Sequence, residues 1–170
     1  MELENYPLGG KALSDKDLEN SLFVKHKPSL KYAWDNGVAI SRYLAELKEG
    51  RIIAKKCRKC GRTLVPPRMF CELCWVPTDE WVYVEDTGVV NTFSLCYINW
   101  DASLVPKGKD PHIPAVIELD GASKGMGIMH LLGEVELDKI KIGMKVKAVW
   151  KAEKEREGSI TDILYWKPLE

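Results

Sequence analysis

The sequence lacks the apolar segments that take a chain into or across a membrane. No run approaches the ~18 apolar residues of a membrane span, and the opening Met1-Glu2-Leu3-Glu4 has neither the basic nor the apolar region of a signal peptide. These absences predict a cytosolic protein with no membrane partner, in a compartment where disulfides are rare.

The sequence also contains no glutamine and no excess of either charge. Lys outnumbers Arg and Glu is plentiful, a balance found in proteins from hot environments. The 25 basic and 25 acidic residues cancel, so no global charge draws the chain towards nucleic acid. With 170 residues, 45% of them hydrophobic, the chain is long enough for one good core and a small appended unit.

Sequence motifs of enzymes are missing as well. No G-x-G-x-x-G, Walker loop, H-E-x-x-H or nucleophile elbow is present. His26, His112 and His130 are scattered without a catalytic partner at a recognisable spacing. Cys96 lies within a predicted strand, where a lone thiol is usually a small buried hydrophobe. We therefore expect no catalytic residues, and a binding module rather than an enzyme.

Four of the five cysteines form two C-x2-C pairs, Cys57/Cys60 and Cys71/Cys74, separated by ten residues. Each pair forms a tight knuckle that aims two thiolates at one point, as a tetrahedral zinc site requires. Four thiolates leave no coordination position for water, so the spacing predicts one structural Zn²⁺ in a zinc ribbon. The alternatives are iron in a rubredoxin-like electron carrier, two disulfides, and a redox dithiol.

Basic residues are concentrated around these cysteines. Residues 51–74 hold seven Lys or Arg against the single acid Glu72, whereas residues 83–170 hold 11 basic and 14 acidic residues. An anionic ligand is therefore expected at the ribbon. The candidate ligand-binding residues are Lys55, Lys56, Arg58, Lys59, Arg62 and Arg68.

Two helices are predicted before the cysteines. Ser14-Asp15-Lys16-Asp17 fits a capping box that opens a short helix ending near Ser21. A second helix is expected from Pro28 to Glu49, with Gly50 as a left-handed stop, although Asn36-Gly37 is able to divide it. Its broad apolar face either packs on the protein's own core or docks a partner.

Strands are predicted on both sides of the cysteines. Residues 51–56 form a strand that leads into the first knuckle, and residues 64–68 are expected to be extended, because Pro66 and Pro67 fix φ. Residues 81–84 form a lead-in strand, and Thr87-Gly88 is expected to turn. Five further strands are predicted at residues 89–98, 113–119, 125–132, 144–150 and 160–167.

Five strands with a short link at residues 134–143, between the third and the fourth, are typical of an OB-fold barrel, with an open sandwich as the alternative. The loop 99–112 lies where OB-folds commonly bind ligands, and its candidate contact residues are Trp100, Lys107 and Lys109. The sequence thus predicts a mainly β protein with a helical N-terminal segment (1–50), a zinc ribbon (51–82) and a five-stranded OB-fold domain (83–170).

The order of these parts resembles a known family. In chain order these parts are the helix end Lys48-Glu49-Gly50-Arg51, the ribbon 57–74 with Pro66-Pro67-Arg68, Trp81, Gly88, and a barrel with segments 113–121 and 140–146. This layout is similar to the family called domain of unknown function thirty-five. In that family a helical N-terminus precedes a rubredoxin-like zinc ribbon and an OB-fold. The sequence departs from it at Trp75, where the family often has glycine, so we expect the second knuckle to differ in shape.

The resemblance implies a non-catalytic partner of thiolases and related acyl-CoA condensing enzymes. In archaea this is an assembly of a thiolase and a hydroxymethylglutaryl-CoA (HMG-CoA) synthase, which the family member bridges. The resemblance further implies that it helps to hold the CoA pantetheine, so that acetoacetyl-CoA passes between the two enzymes in the mevalonate route. The alternative is a single-stranded nucleic-acid-binding protein, which the acidic barrel disfavours because it would repel a phosphate backbone.

Overall fold

A computed structural model describes residues 14–20 and 28–169, and the chain forms two compact units, Met1–Trp34 and Asp35–Glu170. The first unit contains helix α1, Asp15–Glu19. The Ser14 N–H donates to the Asp17 carboxylate and the Asp17 N–H donates to Ser14 Oγ, each at 3.2 Å, which confirms the predicted capping box. Ser21, the predicted helix end, and His26 lie outside the described residues.

Helix α2, Gly37–Lys48, is shorter than predicted. The prediction of a helix from Pro28 was wrong for residues 28–36, which form no helix. The reason is a local turn: the Asp35 side chain accepts the Gly37 N–H at 2.7 Å, and Gly37 takes a left-handed φ of 69°. At the other end Gly50 has a φ of 73°, as predicted. Within the described residues no helix has the length and hydrophobicity needed to cross a membrane.

The ribbon consists of two small antiparallel sheets. Strands β1 (Ile52–Lys56), β2 (Thr63–Leu64) and β5 (Glu80–Val84) pair in the order β2-β1-β5, and β3 (Phe70–Cys71) pairs with β4 (Val76–Pro77). The segment between β2 and β3 does not run fully extended as predicted. It bends at a cis Val65–Pro66 peptide, an isomer that proline alone makes common.

The C-terminal half of the second unit, Asp35–Glu170, is a five-stranded antiparallel sheet closed into a barrel. Its strands are β6 (Thr87–Phe93), β7 (Pro114–Leu119), β8 (Gly127–Leu131), β9 (Lys145–Trp150) and β10 (Ile163–Pro168), in the order β10-β9-β6-β7-β8. A parallel bridge between Leu132 and Trp166 joins the two edges. This topology confirms the predicted OB-fold, and a 3-10 helix at Leu137–Lys139 lies in the predicted link.

The start of β6 corrects one prediction. Thr87-Gly88 belongs to the strand rather than to a turn, and β6 ends at Phe93 rather than at Ile98. Gly88 serves a close approach between strands, because a Cβ there would lie 2.2 Å from the Glu118 carbonyl oxygen of β7. A glycine is therefore required at position 88 by the close packing of two strands, and not by a turn.

One hydrophobic core runs through the ribbon and the barrel. It joins Tyr43 and Leu47 of α2 to Ile53 of β1 and to Ile117 and Trp166 of the barrel. The part of the apolar face that Ala39, Tyr43 and Leu47 form therefore packs on the protein's own core, whereas Leu30, Trp34 and Val38 of the predicted face are exposed.

The loop between β9 and β10 supports α2 and is organised by one buried carboxylate. Asp162 is fully buried and accepts backbone N–H groups from Glu157, Gly158 and Ser159 at 2.9, 2.7 and 3.0 Å. A Cβ on Gly158 would lie 3.3 Å from the Leu44 carbonyl oxygen, so this loop approaches the α2 backbone closely. The predicted domain boundaries at residues 50 and 82 stay a prediction.

Candidate metal centre and binding surface

The two knuckles have the same backbone hydrogen bond. The Gly61 N–H donates to the Cys57 carbonyl at 2.8 Å, and the Trp75 N–H donates to the Cys71 carbonyl at 2.9 Å. Both donors are left-handed, with φ of 74° at Gly61 and 55° at Trp75. The second knuckle therefore has the hydrogen bond and the left-handed residue of the first, and the prediction that Trp75 changes its shape was wrong. Trp75 instead adopts a backbone conformation that favours glycine.

The four cysteine sulfurs converge. The Sγ atoms of Cys57, Cys60, Cys71 and Cys74 all lie within 4.8 Å of one another, and Cys60 Sγ is 3.7 Å from Cys71 Sγ. Zn–S bonds of ~2.3 Å in a tetrahedron place sulfurs about 3.8 Å apart, whereas a disulfide bond is about 2.05 Å long. The observed spacing fits one four-thiolate metal ion and not a disulfide.

The four thiols perturb one another's acidity because they lie so close together. Burial would raise the pKa of Cys71, but the N–H groups of Leu73 and Cys74 and the Cys60 and Cys57 thiols outweigh it and lower that pKa. The pKa of Cys74 is raised, mainly by its hydrogen bond with Cys60 and then by burial.

The barrel supports the metal centre from one side. The Thr63 N–H donates to Ser123 Oγ at 2.9 Å, and the Ser123 N–H donates to the Thr63 carbonyl at 3.1 Å. Met126 packs against the small core formed by Cys57, Leu64 and Cys71. The loop between β7 and β8 thus holds the first knuckle in place.

Lys55 lies inside the ribbon and not on its surface. Its side chain is 4% exposed, its Nζ donates to the Thr78 carbonyl at 2.5 Å, and it lies 4.6 Å from the centre of the Trp81 ring. Because the ammonium is buried between the Thr78 carbonyl and the Trp81 ring, Lys55 belongs to the fold rather than to a ligand site.

The arginines predicted to bind a ligand are paired with acids. Arg58 lies 3.0 Å from Asp79, while Arg62 and Arg68 share Glu72 at 2.6 and 3.3 Å. The Arg62 hydrogen bond is the main reason why the pKa of Glu72 lies below its usual range. Their positive charge is thus partly compensated.

The lysines of the first knuckle differ from these arginines. Lys56 is half-buried and Lys59 is exposed, and neither forms an ion pair within the described part of the chain. A shallow cavity of about 360 Å³ brings Lys59 together with Arg58, Asp79, Val76 and Pro77. Of the predicted basic residues, Lys59 and Arg58 are the two that share a cavity there.

The other candidates lie on the barrel loop between β6 and β7. A bridge between Ile98 and Leu104 makes its tip a hairpin, on which Trp100 is 98% exposed, and Lys107 and Lys109 are exposed beyond it. Cys96, at the base of the loop, is half-buried and its Sγ donates to the Ile98 carbonyl at 3.3 Å. The prediction of a buried thiol within a strand was therefore wrong, because β6 ends at Phe93, before reaching Cys96.

Sequence reasoning missed an exposed apolar surface on the second knuckle. Phe70, Leu73 and Trp75 are 60%, 67% and 87% exposed. The sequence does indicate this exposure, because the three residues lie next to ligand cysteines in a segment too small to bury large side chains.

Comparison with known proteins supports this architecture. Residues 44–80 match the family model described as "ChsH2, rubredoxin-like zinc ribbon domain", and residues 81–151 match "ChsH2, C-terminal OB-fold domain". The chain is 29% identical over 122 residues, 70% of its length and 82% of the relative's, to a "DUF35 domain-containing scaffold protein" of Methanocaldococcus jannaschii.

Two solved structures share the fold. A DUF35-family protein of unknown function from Sulfolobus solfataricus has a TM-score of 0.55 at 23% identity, over 75% of this chain and 82% of the other. A chain of an "Ltp2-ChsH2(DUF35) aldolase" has a TM-score of 0.56 at 22% identity, over 81% of this chain and 98% of the other. The four cysteines form the structural zinc site of the rubredoxin-like ribbon. Because both domain models match in chain order and together span residues 44–151, the chain belongs to the DUF35 family, with a zinc ribbon followed by an OB-fold.

Proposed function

We propose that this protein is a non-catalytic accessory protein that binds acyl-CoA and bridges thiolase and HMG-CoA synthase-type condensing enzymes. In this role it assists the transfer of acetoacetyl-CoA in the mevalonate route to isoprenoids. The observation that carries the proposal is the metal centre: four thiolates fill the coordination sphere, so the ion builds a platform and offers no position for substrate. An accessory role is supported by the similarity to a protein named a scaffold protein and to a chain of an Ltp2-ChsH2(DUF35) aldolase.

Cys96, His112 and one ring nitrogen of His130 are engaged in local contacts. Cys96 Sγ donates to a backbone carbonyl, His112 Nε2 lies 3.0 Å from Asn99 Oδ1, and His130 Nε2 lies 3.3 Å from the Ile160 carbonyl. A nucleophile needs a base within hydrogen-bond distance, and these contacts supply none. They support the non-catalytic part of the proposal.

Acyl-CoA carries phosphates, and the ribbon offers cations for them. Lys59 is exposed and lies beside Arg58 in one cavity, and Lys56 ends strand β1 directly before the first knuckle. We assign the phosphate contacts to these residues, with Arg62 and Arg68 as a flanking pair. Trp100, Lys107 and Lys109 of the barrel loop form a second candidate contact, and Lys55 is left out because it is buried.

The test uses the full chain together with the purified thiolase and HMG-CoA synthase of its source organism. Size-exclusion chromatography with light scattering should show a complex that contains at least one enzyme, and calorimetry should show acetoacetyl-CoA binding that Lys59→Ala weakens. The proposal would be refuted if the chain formed no complex with either enzyme and did not bind acetoacetyl-CoA. A parallel titration with single-stranded oligonucleotides at several salt concentrations tests the alternative function, which tight and steeply salt-dependent binding would favour.

A further inference from the structure

The hairpin of the second knuckle presents apolar side chains to solvent. We name Met69, Phe70, Leu73, Trp75 and Pro77 the knuckle patch. All five are exposed, and Phe70 pairs directly across the hairpin with Pro77. Residues 72–75 form the turn of this hairpin, so Leu73 and Trp75 lie at its tip. An exposed apolar tip fits into a pocket of another molecule rather than enclosing a ligand of its own.

Trp75 occupies this tip against its backbone preference. Its φ of 55° lies in the left-handed region, where a side chain with Cβ is disfavoured, and Gly61 holds the equivalent position in the first knuckle. The indole is 87% exposed, so packing within the protein returns little of that cost. A glycine would fold here at least as well, which leaves the exposed indole without a role in the fold.

The charges beside the patch indicate the kind of partner. Arg68 precedes Met69, and the cavity that contains Val76 and Pro77 also contains Lys59 and the ion pair of Arg58 with Asp79. Arg68 shares Glu72 with Arg62, and Lys59 has no ion pair within the described part of the chain, so positive charge remains in excess at this edge. A pocket with carboxylates on its rim is complementary to this surface.

We propose that the knuckle patch is a protein-docking surface anchored by Trp75, and that it inserts into an apolar pocket with an acidic rim on one of the condensing enzymes. Trp and Arg are the residues that most often dominate binding energy at protein interfaces, at the centre of a patch and beside it. The inference rests on the proposed function, because it takes the condensing enzyme as the occupant.

The experiment compares three full-length chains: wild type, Trp75→Gly and Trp34→Ala. The last removes a similarly exposed indole outside the patch. Affinity for the purified thiolase and for the HMG-CoA synthase is measured separately by biolayer interferometry, with zinc content and melting temperature recorded for each chain. Trp75→Gly should weaken binding to one enzyme about 30-fold or more, without loss of zinc or of melting temperature, and Trp34→Ala should bind like wild type.

The outcomes separate the two proposals. Equal binding by wild type and Trp75→Gly overturns the docking inference and leaves the proposed function standing. If the wild-type chain binds neither enzyme, both the docking inference and the proposed function are overturned. If Trp75→Gly loses zinc, Leu73→Ser decides in its place, because it keeps the Trp75 backbone and removes a neighbouring apolar contact.

Discussion

Asp162 should be among the most sensitive positions outside the metal centre. Replacing it by alanine removes the acceptor of three backbone N–H groups, those of Glu157, Gly158 and Ser159. These donors lie in the loop whose Gly158 approaches the backbone of α2, so the effect should reach the packing of that helix.

The size of the effect follows from the donors left unpaired. A fully buried donor without an acceptor costs about 1–3 kcal/mol. Glu157 is exposed and Gly158 and Ser159 are half-buried, so water reduces the sum for the three donors, and we expect a loss of about 3 kcal/mol of unfolding free energy. For a chain of this length that corresponds to a melting temperature lower by about 6–12 °C. Glu155→Ala, an exposed carboxylate in the same loop, is the control and should change stability by less than about 0.5 kcal/mol.

The pH dependence gives a second measure of the same interaction. Burial would raise the pKa of Asp162, but the three N–H donors, with help from the Lys151 ammonium, hold it below its ordinary value of 3.8. A carboxyl with a lowered folded-state pKa stabilises the fold above pH 3.8 and loses this contribution as the pH falls through its folded-state value.

Thermal melts of wild type and Asp162→Ala from pH 7 to pH 3 test this reasoning. The difference between their melting temperatures should stay constant down to about pH 5 and shrink below pH 3.8. A difference at pH 7 worth less than about 1 kcal/mol, or one that does not shrink in acid, would refute the account.

Three further predictions concern the ribbon and the barrel. Cys57→Ser, or chelation of zinc, should collapse the ribbon, because structural zinc contributes folding free energy directly; zinc content and circular dichroism measure this, and unchanged melting after chelation would contradict it. Lys55→Met should lower the free energy of unfolding, measured by chemical denaturation, by about 1–3 kcal/mol, because it leaves the Thr78 carbonyl unpaired. Lys59→Met should leave that free energy unchanged and should weaken CoA binding, measured by calorimetry. Gly88→Ala should destabilise the barrel by about 2 kcal/mol or more, because its Cβ would meet a β7 carbonyl at 2.2 Å; an unchanged melting temperature would show that the strands separate freely.

The metal centre and the barrel were predictable because their signals are local. A C-x2-C pair forms its knuckle within five residues, so the spacing of Cys57, Cys60, Cys71 and Cys74 was sufficient to predict the convergent site. The alternation of buried and half-buried residues in β7 is equally local and marks a strand before any partner strand is known.

Features that depend on distant contacts were not predictable in this way. The burial of Lys55 results from Thr78 and Trp81, more than twenty residues away, and composition alone placed it with the exposed basic residues. Thr87-Gly88 has the sequence of a turn, and only the approach of β7 shows that the glycine serves strand packing. In residues 28–36 apolar spacing suggested a helix, but the turn between Asp35 and Gly37 prevailed over it.

The continuous core shared by α2, the ribbon and the barrel determines how forces pass through this unit. Side chains from all three parts interlock in one packed interior, and packed interiors resist shear. The ribbon therefore cannot swing on the barrel as a tethered module would. Two molecules bound at the knuckle and at the barrel loop would be held at one separation and one angle, so the protein would act as a rigid spacer whose length is set by folding.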